Sequence, residues 1–177
     1  IAGNLYPPGS TFKLVTAAAA LSSGDYGVDS ELPGPAVLDL PQTTVGLPNH
    51  GRVPCSASGR VTMAEAMRQS CNPAFGWLGM QVGADALRSQ AARFGVGDEL
   101  SIPMRVTPSS VPAELNQPQL AQSSIGQYDV RMTPLQVAMI SAAIANKGVV
   151  MTPYLVKSAI VDSELSVVEE AKPVELS

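Results

Sequence analysis

The longest apolar run in this chain, residues 14–21, is rich in alanine and predicts a buried helix. Pro7, Pro8 and Gly9 keep that helix from starting before Ser10. A second helix is predicted over residues 62–69, where Thr62 and Glu65 have capping-box spacing, and it ends at Ser70. Pro73, at a first helical position, opens a third that runs through Phe75, Trp77, Leu78 and Met80 to Val82. Asp85 is expected to cap a fourth, residues 86–94, which stops at Gly95. Thr133 and Gln136 repeat the capping-box spacing around Pro134, and the apolar positions that follow carry a helix to Lys147 and Gly148. Residues 149–151 and 154–161 read as short strands. Two stretches read as irregular: residues 32–58, broken by Pro33, Pro35, Pro41, Pro48 and Pro54, and residues 102–122, interrupted at Pro103, Pro108, Pro112 and Pro118. Phe75, Trp77 and Phe94 fall on faces predicted to be buried.

Composition narrows the class. With 177 residues, 45% of them hydrophobic, the chain supports one domain with a core. A net charge of −4, no basic run and 5% aromatic residues argue against nucleic-acid binding. The 15 glycines and 15 prolines describe a helical body wrapped in long turns. One histidine, His50 in a Pro-Asn-His-Gly turn, and two cysteines are too few soft ligands for a zinc site. No cofactor is implied, and no apolar run reaches the roughly 18 residues of a membrane span.

Two short motifs carry the chemistry. Ser10 opens the first predicted helix and Lys13 follows one turn later on the same face. A hydroxyl beside a partly buried amine is one way to give a weak nucleophile an adjacent base. The same residues also fit an ordinary N-cap followed by a solvent-facing lysine. Farther along, Ser70 and Asn72 occupy a tight corner between two predicted helices, where both side chains can face one cleft. Asn72 before Pro73 equally fits an N-cap.

Together the motifs resemble a known family. The segments Leu5-Tyr6-Pro7-Pro8-Gly9-Ser10-Thr11-Phe12-Lys13, Ser70-Cys71-Asn72, Ile125-Gly126-Gln127, Thr133-Pro134-Leu135-Gln136, Ala145-Asn146-Lys147-Gly148 and Thr152-Pro153 follow one another as in the transpeptidase domain of class B, actinobacterial-type penicillin-binding proteins. The resemblance runs nearly end to end. It implies an α+β fold of the β-lactamase/D,D-peptidase type, with residues 1–177 a partial domain made mainly of the helical subdomain and a few short strands. It also implies a serine D,D-transpeptidase that cross-links peptidoglycan stem peptides through an acyl-enzyme and is a target of β-lactams. Ser10 would be the nucleophile, Lys13 the base and Ser70 a proton relay. Asn72 would bind the substrate peptide and help orient Lys13. For Gly126 the resemblance implies backbone close to the cleft, while an ordinary turn glycine fits as well.

The chain departs from that pattern in one element: its four lysines include no Lys-[Thr/Ser]-Gly, and the nearest imitation is Lys157-Ser158-Ala159. That strand would bind the substrate carboxylate and give one oxyanion donor, so the chain alone is expected to be impaired, by on the order of a hundredfold or more. The expectation is a fragment cut at both ends. Its parent would be anchored by an N-terminal transmembrane segment at the extracytoplasmic face of the membrane and would contact cell-wall synthesis proteins through an upstream module. In that compartment Cys55 and Cys71, sixteen positions apart, either form a disulfide stabilising by about 3 kcal/mol or are two unrelated buried thiols. Self-association is expected where a sheet would otherwise cover apolar surface. Two further readings stay open: a β-lactam sensor or serine β-lactamase-like domain, and an inert helical subdomain with a structural or partner-binding role. Sensors and class D enzymes carry valine where Asn72 stands, and class A β-lactamases carry aspartate where Cys71 stands.

Overall fold

A computed structural model of the chain describes residues 1–100, 102, 104–161, 164–167 and 172–173. Among them are six α-helices and three two-stranded antiparallel sheets, an α+β arrangement. The apolar run becomes α1 (Lys13–Ser23), preceded by a 3₁₀ turn over Gly9–Phe12 and ended by Gly24 in the left-handed conformation. Ser10 therefore lies in the 3₁₀ turn, one step ahead of the α-helix that the apolar pattern predicts.

Residues 32–58 are more ordered than their prolines predict. β1 (Glu31–Pro33) pairs with β4 (Arg60–Thr62), and β2 (Val37–Leu38) pairs with β3 (Leu47–Pro48). These strands hold two or three residues each, too short for an alternating pattern to register. They exist because Leu32, Leu38, Leu47 and Val61 are pulled into the same apolar cluster as Phe75 and Leu78. α2 (Met63–Arg68) follows β4 directly, with the Thr62 hydroxyl accepting from the Glu65 N–H. Only this half of the capping box forms, because the Glu65 carboxylate turns to Arg68 and Gln69.

α3 (Asn72–Val82) is the central helix and touches α1, α5, β1, β2 and β3. It starts one residue earlier than predicted, with Cys71 at the N-cap and Pro73 in the first turn. α4 (Ala84–Arg93) also begins early, after Gly83 at a positive φ, so Asp85 lies inside the first turn and pairs with Arg88 rather than capping. α5 (Gln117–Ser123) falls within the stretch read as irregular. Pro118 is not a breaker there but a first-turn proline, behind a complete Asn116/Gln119 capping box. α6 (Pro134–Ala145) has the Thr133 hydroxyl on the Gln136 N–H, while the buried Gln136 side chain reaches across to the Phe94 carbonyl at 2.7 Å. Its end is sealed by the Gly148 N–H donating to the Ala143 carbonyl.

Beyond α6 the first predicted strand is reduced to one bridge between Met151 and Pro173. β5 (Ser158–Val161) lies inside the second predicted strand and pairs with β6 (Glu164–Val167), which the sequence reading did not foresee. Two main apolar clusters result. One joins α3 to the small sheets; the other joins Phe12 and Val15 to α4 and α6. α1 contributes to both, with Ala20 in the first and Val15 in the second. Among the described residues no helix is long and apolar enough to cross a membrane.

Candidate active site

The approach to Ser10 is fixed by two backbone contacts with one distant segment. Tyr6 and Met132 exchange two N–H···O bonds of 2.9 Å, and the Gly9 N–H donates to the Gly126 carbonyl at 3.0 Å. Gly9 and Gly126 both have positive φ, 57° and 72°. A Cβ built on Gly126 would press on the Gly9 carbonyl oxygen and stand 2.7 Å from the Gly9 nitrogen. Only glycine lets these two backbones meet. Gly126 thus braces the residue next to Ser10 from behind. Ser10 itself is exposed at the surface of the 3₁₀ turn, and its hydroxyl has no hydrogen-bond partner among the described residues.

Lys13, three residues on, is turned into the protein. It is fully buried, and its Nζ stands 5.8 Å from the centre of the Phe75 ring. Three oxygens surround that nitrogen: the Ser70 carbonyl at 2.7 Å, the Ser70 hydroxyl at 2.9 Å and the Asn72 Oδ1 at 2.7 Å. The contact between hydroxyl and amine that the spacing of Ser10 and Lys13 implies is therefore made by Ser70, and Ser10 is not hydrogen-bonded to Lys13. Burial pushes the Lys13 ammonium down to about 8. The amine thus comes within reach of the neutral form near physiological pH, unlike an exposed lysine.

The corner that presents these oxygens is held under local strain. Ser70 has φ of 60°, a left-handed conformation uncommon for a residue with a Cβ and costing of order 1 kcal/mol or more. It turns the chain sharply out of α2, and the Cys71 N–H then bonds back to the Ala66 carbonyl at 2.8 Å. Cys71, wholly buried between the two site residues, is disulfide-bonded to Cys55, with Cα atoms 5.9 Å apart. Gly34 packs against that bridge: a Cβ there would stand 2.9 Å from the Cys55 Cβ. Asn72 does not cap α3. Its Oδ1 accepts from Lys13, and its Nδ2 donates to the Pro48 carbonyl at 3.3 Å. Those partners leave one side-chain N–H for a ligand.

Of the residues singled out in the sequence, Lys13, Ser70 and Asn72 form one hydrogen-bonded cluster, and the Cys55–Cys71 bridge anchors its corner. Ser10 opens the turn that leads into Lys13, and Gly126 supports that turn. Asn49 was not foreseen: its Oδ1 accepts the Asn72 backbone N–H at 3.2 Å. The Pro-Asn-His-Gly turn was the only signal in the sequence, and it pointed to a surface loop. His50 is exposed in that turn.

The family model of the penicillin binding protein transpeptidase domain matches residues 2–176. The peptidoglycan D,D-transpeptidase PbpA of Mycobacterium tuberculosis is 46% identical over 154 residues, which are 86% of this chain and 31% of that protein. The stage V sporulation protein D of Bacillus subtilis is 32% identical over 96% of this chain and 26% of its own length. Among solved structures, the ceftriaxone acyl-enzyme complex of penicillin-binding protein A from M. tuberculosis superposes with a TM-score of 0.86 at 44% identity, covering 89% of this chain and 35% of that one. The D,D-transpeptidase domain of an Eggerthella lenta peptidoglycan glycosyltransferase gives a TM-score of 0.89 at 32% identity over 99% of this chain and 45% of that one. The chain spans about a third of the length of the mycobacterial relatives it matches.

Proposed function

The chain belongs to the penicillin-binding protein transpeptidase domain family, and on that footing we propose that it carries the nucleophile and base of a serine D,D-transpeptidase. The observation that supports this most is the fully buried Lys13 amine, lowered to about 8 and aimed at Ser70 and Asn72. In the neutral form two of its hydrogens stay on the Ser70 carbonyl and Asn72 Oδ1, and its lone pair faces the Ser70 hydroxyl. Substrate entry beside Ser10 gives that lone pair a second claimant.

Lys13 takes the Ser10 proton as the Ser10 oxygen attacks the carbonyl of the penultimate D-alanine of a stem peptide. The C–N bond to the last D-alanine breaks. Ser70 passes a proton from Lys13 to the leaving amine, and the acyl group stays on Ser10. Attack by an amine of a neighbouring strand then forms the cross-link and frees Ser10. The unoccupied N–H of Asn72 binds the substrate's peptide carbonyl. A β-lactam enters as the dipeptide does, and its ring nitrogen remains tethered, so the ester persists.

The sequence holds no Lys-[Thr/Ser]-Gly. The 177-residue polypeptide on its own therefore acylates on the order of a hundredfold or more slower than a site with the full oxyanion donor set. The disulfide supports placement at the extracytoplasmic face of the cell membrane, an oxidising compartment, where partners are stem peptides and other cell-wall synthesis proteins.

Intact mass after incubation with a penicillin tests the proposal, with Ser10→Ala as control. The expected result is an increase equal to one opened β-lactam in the parent chain and none in Ser10→Ala. A folded parent chain with no adduct, or an adduct that survives in Ser10→Ala, overturns it.

A further inference from the structure

Asn49 lies in the turn after β3, and its backbone N–H, its side-chain nitrogen and its side-chain oxygen each have a partner. Its backbone N–H donates to the Ala36 carbonyl at 2.9 Å, its Nδ2 to the Val53 carbonyl at 2.9 Å, and its Oδ1 accepts from the Asn72 N–H at 3.2 Å. A carbonyl on one side and an N–H on the other fix which way this amide faces. Aspartate would lack the donor, and alanine would lack both groups. The preceding residue acts on the same target, since the Pro48 carbonyl accepts from the Asn72 Nδ2. That bond orients the Asn72 carboxamide with Oδ1 toward Lys13.

The first turn of α3 leaves backbone donors without helical acceptors. Asparagine next to proline at a helix start ordinarily satisfies them with its own side chain. At this corner the Cys71 side chain at the N-cap is in the disulfide, and the Asn72 side chain is on Lys13. Pro73 has no N–H, and the Asn72 N–H goes to Asn49.

We propose that Asn49 is a positioning residue of the site: by accepting the Asn72 N–H it caps α3 from outside, leaving the Asn72 carboxamide oxygen on Lys13. The proposal rests on reading Lys13 as the base. Without Asn49, the Asn72 N–H loses its acceptor, the first turn of α3 shifts to find another, and the Asn72 carboxamide oxygen moves off Lys13, which loses one of three acceptors.

The test is direct titration of the Lys13 side chain by NMR with isotope-labelled lysine, in a chain that has only four lysines. Asn72→Ala removes an acceptor from a buried ammonium and lowers the midpoint by about one pH unit. Asn49→Ala is expected to lower it at least half as far, with Lys13 and Asn72 both still present. An unchanged midpoint in Asn49→Ala, or no shift in either variant, overturns the proposal. Should Asn49→Ala not fold, Asn49→Asp keeps the acceptor for the Asn72 N–H. Its midpoint is then expected at or above the parent's, and one below it overturns the proposal. Penicillin adduct formation on the same parent sample separates the two readings: a Lys13 shift without any adduct supports the capping role and counts against acyl transfer.

Discussion

Asn72 and Asn116 stand at the starts of two helices, each with a proline in the first turn, and they do opposite things. Asn116 closes a local capping box: its Oδ1 takes the Gln119 N–H at 3.0 Å, and the Gln119 side chain returns to the Asn116 N–H at 3.0 Å. Two residues satisfy each other's main chain, and the further contact of the pair, Gln119 Nε2 donating to the Tyr128 hydroxyl at 2.8 Å, reaches only nine residues along the chain. Asn72 leaves its own helix to be capped by Asn49 and holds a lysine 59 residues away. The difference separates a residue chosen for the helix it begins from one chosen for a neighbour's chemistry. Where a local rule is broken and the break is compensated from elsewhere, function is the first place to look.

The sharpest test removes what Asn72 serves. Lys13→Met is expected to lower the rate of β-lactam acylation by about a thousandfold, read as the rate of adduct formation by mass. The same variant exposes the stability side of the contrast. Lys13 loses its proton near pH 8 in the folded chain, against 10.5 for an ordinary lysine. The folded state therefore disfavours the charged form, and this penalty is fully present below pH 8. Between pH 8 and 10.5 the unfolded chain holds the extra proton, so stability rises with pH by an amount on the order of 3 kcal/mol. Urea unfolding across that window should show the rise in the parent chain and not in Lys13→Met. Acylation should rise through the same pH of about 8 as the amine becomes neutral.

Asn72→Ala is the next largest expected effect, a loss of about tenfold to a hundredfold in acylation rate, together with about 1 kcal/mol in urea unfolding at neutral pH from the acceptor taken from Lys13. Asn116→Ala should cost a similar amount, about 1 kcal/mol in urea unfolding, while leaving the acylation rate unchanged. If Asn116→Ala slowed acylation as much as Asn72→Ala does, the distinction between the two helix starts would collapse.

Much of this was legible in the sequence, for reasons that differ by residue. The apolar run with its prolines announced α1, and Ser10, Lys13, Ser70 and Asn72 stood out because their spacing carried chemistry beyond a helix pattern. Thr62 and Thr133 marked helix starts because the N-cap contact spans only three residues. The second halves of those boxes failed because Glu65 had Arg68 beside it and Gln136 had the Phe94 carbonyl above it. Pro118 hid α5, since a proline read without its register is a breaker. β1 to β4 were hidden by their length. Asn49 was out of reach, because its role exists only once residues 49 and 72 are brought together by folding.

The meeting of Gly126 with Gly9 also bears on how such a site can change under antibiotic pressure. A side chain that lines a cleft can be exchanged for bulk, since its neighbours are movable ends of other side chains. At position 126 any side chain would meet main chain directly ahead of Ser10, and main chain cannot step aside without taking Ser10 with it. On the function proposed above, a substitution there would harm substrate and inhibitor alike. Variants that tell a stem peptide from a penicillin would then have to arise elsewhere on the rim, where one can be obstructed and the other admitted.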